Sequence, residues 1–284
     1  MKELKGIDVS THQGDIDWKR VRASGIDFAM IKATQGRGEG VETRGYRKFR
    51  DSRFVSNITE ADNNGIACGV YHYFTAKNPV EAREEAAYFL ATIAPHKDKI
   101  KLWAAVDVES PMWLADVDKP MLTDSVREFM AQVRNAGYKP MLYTNPDFLT
   151  YRYTPGAFDD VDIWLAQWML PTGTSMNVPN KCIWQYGSVG NANDVKKGWA
   201  TLAEGRIPGI NAACDVNKGY FELPSVSAEK PMYVAGNLYC IKAGDRYTSG
   251  LAVPPRLHGQ YYPIIQVKAG RIRLGNGLNS WIEV

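Results

Sequence analysis

Long hydrophobic runs are missing from this sequence. No apolar stretch approaches the roughly 20 residues of a bilayer-spanning helix, so none is expected. The opening residues, Met1 to Asp8, hold no apolar core segment. A secretory signal peptide is therefore not expected, and synthesis in the cytosol is. Cysteine is scarce: Cys68, Cys182, Cys214 and Cys240 are scattered without metal-ligand spacing, and free, mostly buried thiols are favoured over disulfides. Of four histidines, His12 and His72 lack the partner spacing of a metal site, and His96 and His258 carry no signal. Excess charge is small, +3 over 284 residues, and does not by itself argue for nucleic acid. The run Gly36-Arg37-Gly38-Glu39-Gly40 lacks dinucleotide-binding spacing. Arg44-Gly45-Tyr46-Arg47-Lys48-Phe49-Arg50 reads as a solvated basic face before it reads as a nucleic-acid footprint. No metal or cofactor is implied.

What is present is alternation. Strand-like runs occur at Ile26–Thr34, Ile66–Phe74, Lys101–Glu109, Pro140–Thr144, Asp162–Trp168 and Cys182–Tyr186. Between the earlier ones lie helical signals. Asn78-Pro79-Val80-Glu81 supplies a cap, a Pro at the first turn and an acid, followed by the stripe Ala82, Ala86, Phe89, Leu90 and Ile93. Ser125-Val126-Arg127-Glu128 reads as a second capping box, with Gly137 as terminator. Such alternation predicts a parallel α/β fold. From residue 162 onward the strands leave no room for full helices, so a barrel would be irregular in its second half.

A Pro-flanked polar stretch, Leu223 to Pro231, marks a boundary. The expected organisation is a domain at 1–223, a linker at 224–231 and a small all-β barrel at 232–284. The last segment holds six basic residues (Lys242, Arg246, Arg256, Lys268, Arg271, Arg273) against Asp245 and Glu283, a net of +4 that leaves about −1 for the rest. This bias suits a module that targets an anionic surface; the bland alternative is a solvated surface with chance bias.

The run Leu102-Trp103-Ala104-Ala105-Val106-Asp107-Val108-Glu109 ends in carboxylates at i and i+2. On a strand these share one face, with Cα atoms roughly 7 Å apart, the minimal equipment for cleaving a glycosidic bond. Other strand ends carry acids, amides and aromatics: Asp8, Tyr71-His72-Tyr73-Phe74, Tyr143-Thr144-Asn145, Gln167-Trp168, Trp184-Gln185-Tyr186 and Asp215. In a parallel α/β barrel functional side chains gather at these ends, and aromatic faces beside hydrogen-bonding groups suit sugars.

The ordered motifs Asp8-Val9-Ser10-Thr11-His12-Gln13-Gly14-Asp15-Ile16-Asp17-Trp18, Ile31-Lys32-Ala33-Thr34-Gln35-Gly36, Gly69 to Phe74, Asp107-Val108-Glu109, Trp164 to Trp168, Ile183 to Tyr186 and Asp215-Val216-Asn217 resemble glycoside hydrolase family 25, the lysozyme-like N-acetylmuramidases, over about residues 4–221. The resemblance implies an irregular TIM-like barrel of five β/α units plus three further strands. It also implies hydrolysis of the β-1,4 bond between N-acetylmuramic acid and N-acetylglucosamine in bacterial peptidoglycan; alternatives are an N-acetylglucosaminidase or a wall-binding protein with an inactive barrel. Carried over by motif, Glu109 would be the general acid. Asp107 would either stabilise oxocarbenium charge or orient the substrate's N-acetyl group. Asp8 and Asp215 would line the acidic floor, with His12 and His72 as hydrogen-bonding supports. Tyr73, Tyr143, Gln167, Trp168 and Trp184 would contact sugars. Gln35 departs from the Glu that many members carry, and would still offer a hydrogen bond. The last segment is similar to SH3-like wall-binding modules, with anionic wall polymers as candidate partners. A leaderless enzyme acting on a wall outside the membrane fits a phage endolysin released through a holin-made hole.

Overall fold

The computed structural model describes residues 3–36, 49–168, 175–190, 206–224, 233, 235–268 and 270–283. The chain divides into two compact units, Met1–Pro224 and Ser225–Val284. The basic run from Arg44 to Lys48, the Gly-rich run after Gly36 and residues 225–231 of the expected linker lie outside the described residues.

In the first unit the strands β1 (Leu4–Val9), β2 (Phe28–Gln35), β3 (Phe49–Arg50), β4 (Ala67–Tyr73), β5 (Ile100–Asp107), β6 (Pro140–Thr144), β7 (Ile163–Ala166), β8 (Lys181–Val189) and β9 (Cys214–Gly219) form one sheet. It closes because β1 pairs parallel to β2 and antiparallel to β9. The result is an eight-stranded barrel, with the two-residue β3 hanging antiparallel from β2. Successive pairs from β2 through β4 to β8 are parallel, and of the eight barrel strands only β9 runs against its neighbours.

Strand alternation sorts the residues into two cores. On β2, Ala29, Ile31 and Ala33 face the outer layer, while Phe28 and Met30 join Leu4, Tyr71, Trp103, Met141, Tyr143, Trp164 and Ile183 in a second cluster that plugs the barrel. Two glycines make room for this plug: a Cβ at Gly6 would collide with the Phe28 ring, and one at Gly69 with the Met30 thioether. The side chains above the plug are polar, and they form the site.

The outer layer holds α1 (Trp18–Ala23), α2 (Phe54–Asn63), α3 (Pro79–Ile93), the single turn α4 (Pro111–Leu114) and α5 (Lys119–Asn135). Asn78 caps α3 by accepting from the backbone N–H of Val80 and Glu81, and Ala82, Ala86, Phe89 and Ile93 are its buried stripe. The expected cap at Ser125 is displaced. Asp118 caps α5, accepting from Met121 N, and Ser125 lies buried inside the helix with its hydroxyl donating to Met121 O. Pro120 in the first turn explains this, since its fixed φ favours helix initiation upstream of Ser125. Past β6 a π-helical turn at Phe148–Arg152 replaces a regular helix, and no helix among the described residues separates β7, β8 and β9.

The second unit is an antiparallel sheet of β10 (Leu238–Cys240), β11 (Tyr261–Lys268), β12 (Arg271–Leu274) and β13 (Trp281–Glu283), paired in that order. Its own core contains Tyr239, Ile241, Val253, Ile264, Ile272, Leu274 and Ile282. The four cysteines are free, with Cys68 and Cys214 buried.

Candidate active site

A cavity of about 570 Å³ is lined by residues from the C-terminal ends of the parallel strands β1, β2, β4 and β5. Asp8 enters from β1, Lys32 and Gln35 from β2, Tyr71 and Tyr73 from β4, and Asp215 from β9. Asp107 and Glu109 line it together because Val108 between them is fully buried on the opposite side. The backbone there is clamped on both flanks: Phe74 N donates to Asp107 O, and Val108 N donates to Tyr143 O. Asp107 is buried, whereas Glu109 is partly exposed and so open to a ligand.

The floor is one hydrogen-bonded chain. The Tyr143 hydroxyl lies 3.2 Å from Glu109 Oε2 and 3.1 Å from Gln185 Oε1. Gln185 Nε2 and Asn217 Nδ2 both donate to Asp8 Oδ2, at 3.0 and 2.8 Å. Asn217 Oδ1 accepts from the Trp164 indole at 2.8 Å, which ties the chain to the apolar plug. Asp8 and Asp215 stand directly opposite each other across β1 and β9. Asp107 Oδ1 is buried with no hydrogen-bond partner among the described residues.

Burial dominates the acidities. It pushes Asp8 up to about 6 despite the hydrogen bonds from Asn217 and Gln185. Burial first, and the Glu109 charge second, raise Asp107 well above the usual carboxylate range, with Lys32 opposing. Glu109 is raised by burial, against the hydrogen bond from Tyr143, with Asp8 adding to the rise and Lys32 opposing it. The Lys32 ammonium donates to Gln35 Oε1 at 2.9 Å and sits over the rings of Tyr73 and Phe49, 5.0 and 5.5 Å from their centroids. Burial lowers its pKa, and Asp107, Asp51 and Glu109 resist that. Interacting carboxyls of this kind take up protons as a set. A carboxyl that keeps its proton towards neutral pH can serve as a general acid.

The sequence-selected residues separate into groups. Asp8, Asp107, Glu109, Asp215, Gln35 and Tyr73 line the cavity, and so does His12. Tyr143 lies beneath them as the link between Glu109 and Gln185. Trp168 is partly exposed and donates to Gln185 Oε1 at 2.9 Å. Gln167 turns its side chain to Met176 N, and the Trp184 indole donates to Gln167 O; neither lines the cavity. His72 is no support for the floor. Strand alternation turns it outward, where its Nδ1 meets Thr34 Oγ1 at 2.7 Å and its Nε2 meets Glu85 at 2.9 Å. Three floor residues escaped selection: Lys32, Gln185 and Asn217. Each shares its strand face with a neighbour two residues away that the plug or the cavity holds (Met30, Ile183 and Asp215), and that period of two is the available signal. For β8, the aromatic Trp184 was preferred to the neighbouring amide.

Residues 7–195 match the sequence model for "Glycosyl hydrolases family 25". An autolytic lysozyme of Clostridium acetobutylicum is 28% identical over 220 residues, covering 76% of this chain and 61% of that protein's length. A bacterial lysozyme of Streptomyces coelicolor, known from its crystal structure, superposes with a TM-score of 0.57 at 25% identity, over 77% of this chain and 93% of its own. A spore cortex lytic enzyme of Clostridium perfringens matches 99% of this chain and 86% of its own with a TM-score of 0.61, a likeness of fold alone at 18% identity. The chain belongs to the glycosyl hydrolases of family 25.

Proposed function

We propose that the first unit hydrolyses the β-1,4 bond between N-acetylmuramic acid and N-acetylglucosamine in bacterial peptidoglycan. The observation that carries this reading is the placement of Asp107 and Glu109 in one cavity, both with raised carboxyl pKa values. Glu109, the accessible member, protonates the leaving glycosidic oxygen. Asp107 lies deeper in the same cavity, where it would orient an N-acetyl N–H or face oxocarbenium charge. Asp8 and Asp215 complete the floor, Gln35 and Tyr73 face the sugar, and Trp168 flanks it. The names of the lysozyme relatives support peptidoglycan as substrate.

The test is a digest of purified, de-O-acetylated peptidoglycan followed by borohydride reduction, with Glu109→Gln alongside. Muramitol formed by the wild type alone is the expected result. Loss of turnover should exceed about a hundredfold, the usual scale for a lost general acid. Glucosaminitol would reassign the bond, retained activity in the variant would remove Glu109 as acid, and no new reducing end would favour an inactive barrel.

The proposed setting is that of a phage endolysin, made in the host cytoplasm and reaching the wall through a holin-made hole, with the second unit as an SH3-like attachment module. The excess of basic residues in that unit supports attachment. Expression in a host should leave cells intact until a holin is co-expressed. Lysis at the same rate without holin would count against this setting.

A further inference from the structure

The outward face of the second unit's sheet carries an arrangement that the glycosidase reading does not use. On β12 and β13 the residues Ile272, Leu274 and Ile282 are fully buried in the core. Alternation therefore turns Arg271, Arg273, Trp281 and Glu283 to the other side. Register sets them out as a grid: Lys268 opposite Arg271 opposite Glu283, and Gln266 opposite Arg273 opposite Trp281. The Lys268 ammonium and the Arg271 guanidinium both lie over the Trp281 ring, 5.3 and 5.2 Å from its centroid.

Two cations gathered on one ring stand within about one Debye length, ~10 Å at 0.1 M salt, and repel each other. The electron-rich face of the ring offsets only part of that repulsion. No ion pair among the described residues engages Lys268, Arg271 or Arg273. Glu283 is the single acid on this grid, across from Arg271 but not paired with it within 4 Å. Arg273 adds a second, independent sign of a missing partner, since its Nε is buried with no hydrogen-bond acceptor. Converging cations and an unmet guanidinium donor together call for an anion. Arg271 and Arg273 stand two residues apart on one strand, presenting two forks roughly 7 Å apart. Forked donors fit phosphate oxygens in pairs, and a row of them fits an anion that repeats along a chain.

We propose that the Lys268–Arg271–Arg273 face around Trp281 is a binding site for a phosphodiester-linked polyanion of the bacterial wall. This rests on the reading of the second unit as an attachment module. The Trp281 ring holds two of the cations in place, Arg273 supplies the donor that lacks a partner, and phosphate groups neutralise all three.

The test measures sedimentation of the full chain with Gram-positive walls at 50–300 mM salt, in the Glu109→Gln background so that the walls stay intact. The parent should bind, more weakly as salt rises, and the triple variant Lys268→Gln/Arg271→Gln/Arg273→Gln should bind about tenfold or more weakly at low salt with a flatter salt dependence. A charge-matched control, Lys242→Gln/Arg246→Gln/Arg256→Gln, should bind as the parent does. Walls stripped of phosphodiester polymers by hydrofluoric acid should lose the difference between parent and triple variant. Equal loss in the control would reduce the effect to net charge and overturn the site, as would a difference that survives stripping. If the triple variant unfolds, Arg271→Glu alone should reproduce the loss. A parent that binds no wall at all would bring down the attachment reading itself, a result distinct from an intact parent with an indifferent face.

Discussion

Residue 35 carries an amide, the direct hydrogen-bond partner of the Lys32 ammonium. A neutral partner leaves the ammonium charge uncompensated at short range, so it acts on Asp107 and Glu109 instead. A nearby cation favours the ionised carboxylate and lowers its pKa. Gln35→Glu would pair with Lys32 and cancel much of that pull, and its own negative charge acts in the same direction. Both carboxyl pKa values then rise. Because the coupled carboxyls take up protons as a set, both limbs of the kcat/KM profile should move to higher pH together. A pH–rate profile on soluble peptidoglycan fragments checks this, and an unmoved profile would show that Lys32 does not tune the pair. The whole effect depends on burial: the same Lys–Gln contact in bulk water would change little.

Between strands and helices, the tie is a polar cluster sealed inside the outer layer. Glu85 of α3 and His72 of β4 are both completely buried; Glu85 accepts from His72 and from the Thr75 amide and hydroxyl. His72 also stacks on Phe129 of α5, at 5.1 Å between centroids. The cluster holds the chain at His72 and Thr75, on either side of Tyr73 in the cavity. Glu85→Ala would strand buried donors at a cost of about 3–5 kcal/mol, whereas Glu85→Gln, which keeps the shape and an acceptor, should cost about 1–2 kcal/mol. Urea denaturation of the two variants separates them, and equal costs would mean the cluster only fills space. This element-level detail marks the limit of sequence legibility. The strands at Pro140–Thr144 and around Phe28–Gln35, the α3 cap at Asn78 and the pairing of Asp107 with Glu109 on one face follow from periods of two and 3.6 residues and from turn chemistry. The direction in which His72 points, the choice of Gln185 over Trp184 and the start of α5 at Asp118 depend on which face the sheet buries and on competing caps. Local spacing does not encode either.

Across the whole molecule, the family resemblance over residues 4–221 anticipated closure of the barrel more than any local pattern did, because closure is a long-range event. The first strand is locked between β2 and β9, with Leu4 opposite Gly219. The floor inherits that topology: Asp8 is held by Gln185 and Asn217, 177 and 209 residues further along the chain. Such a separation delays assembly, since loop closure must precede the contacts that reward it. At about 5–20 residues per second, synthesis needs roughly 10–40 s to travel from Asp8 to Asn217. Throughout that interval the nascent chain carries its carboxylates but has no floor on which to set them. Translation therefore acts as a timer, and the floor stays unassembled until the ribosome has delivered the last barrel strand.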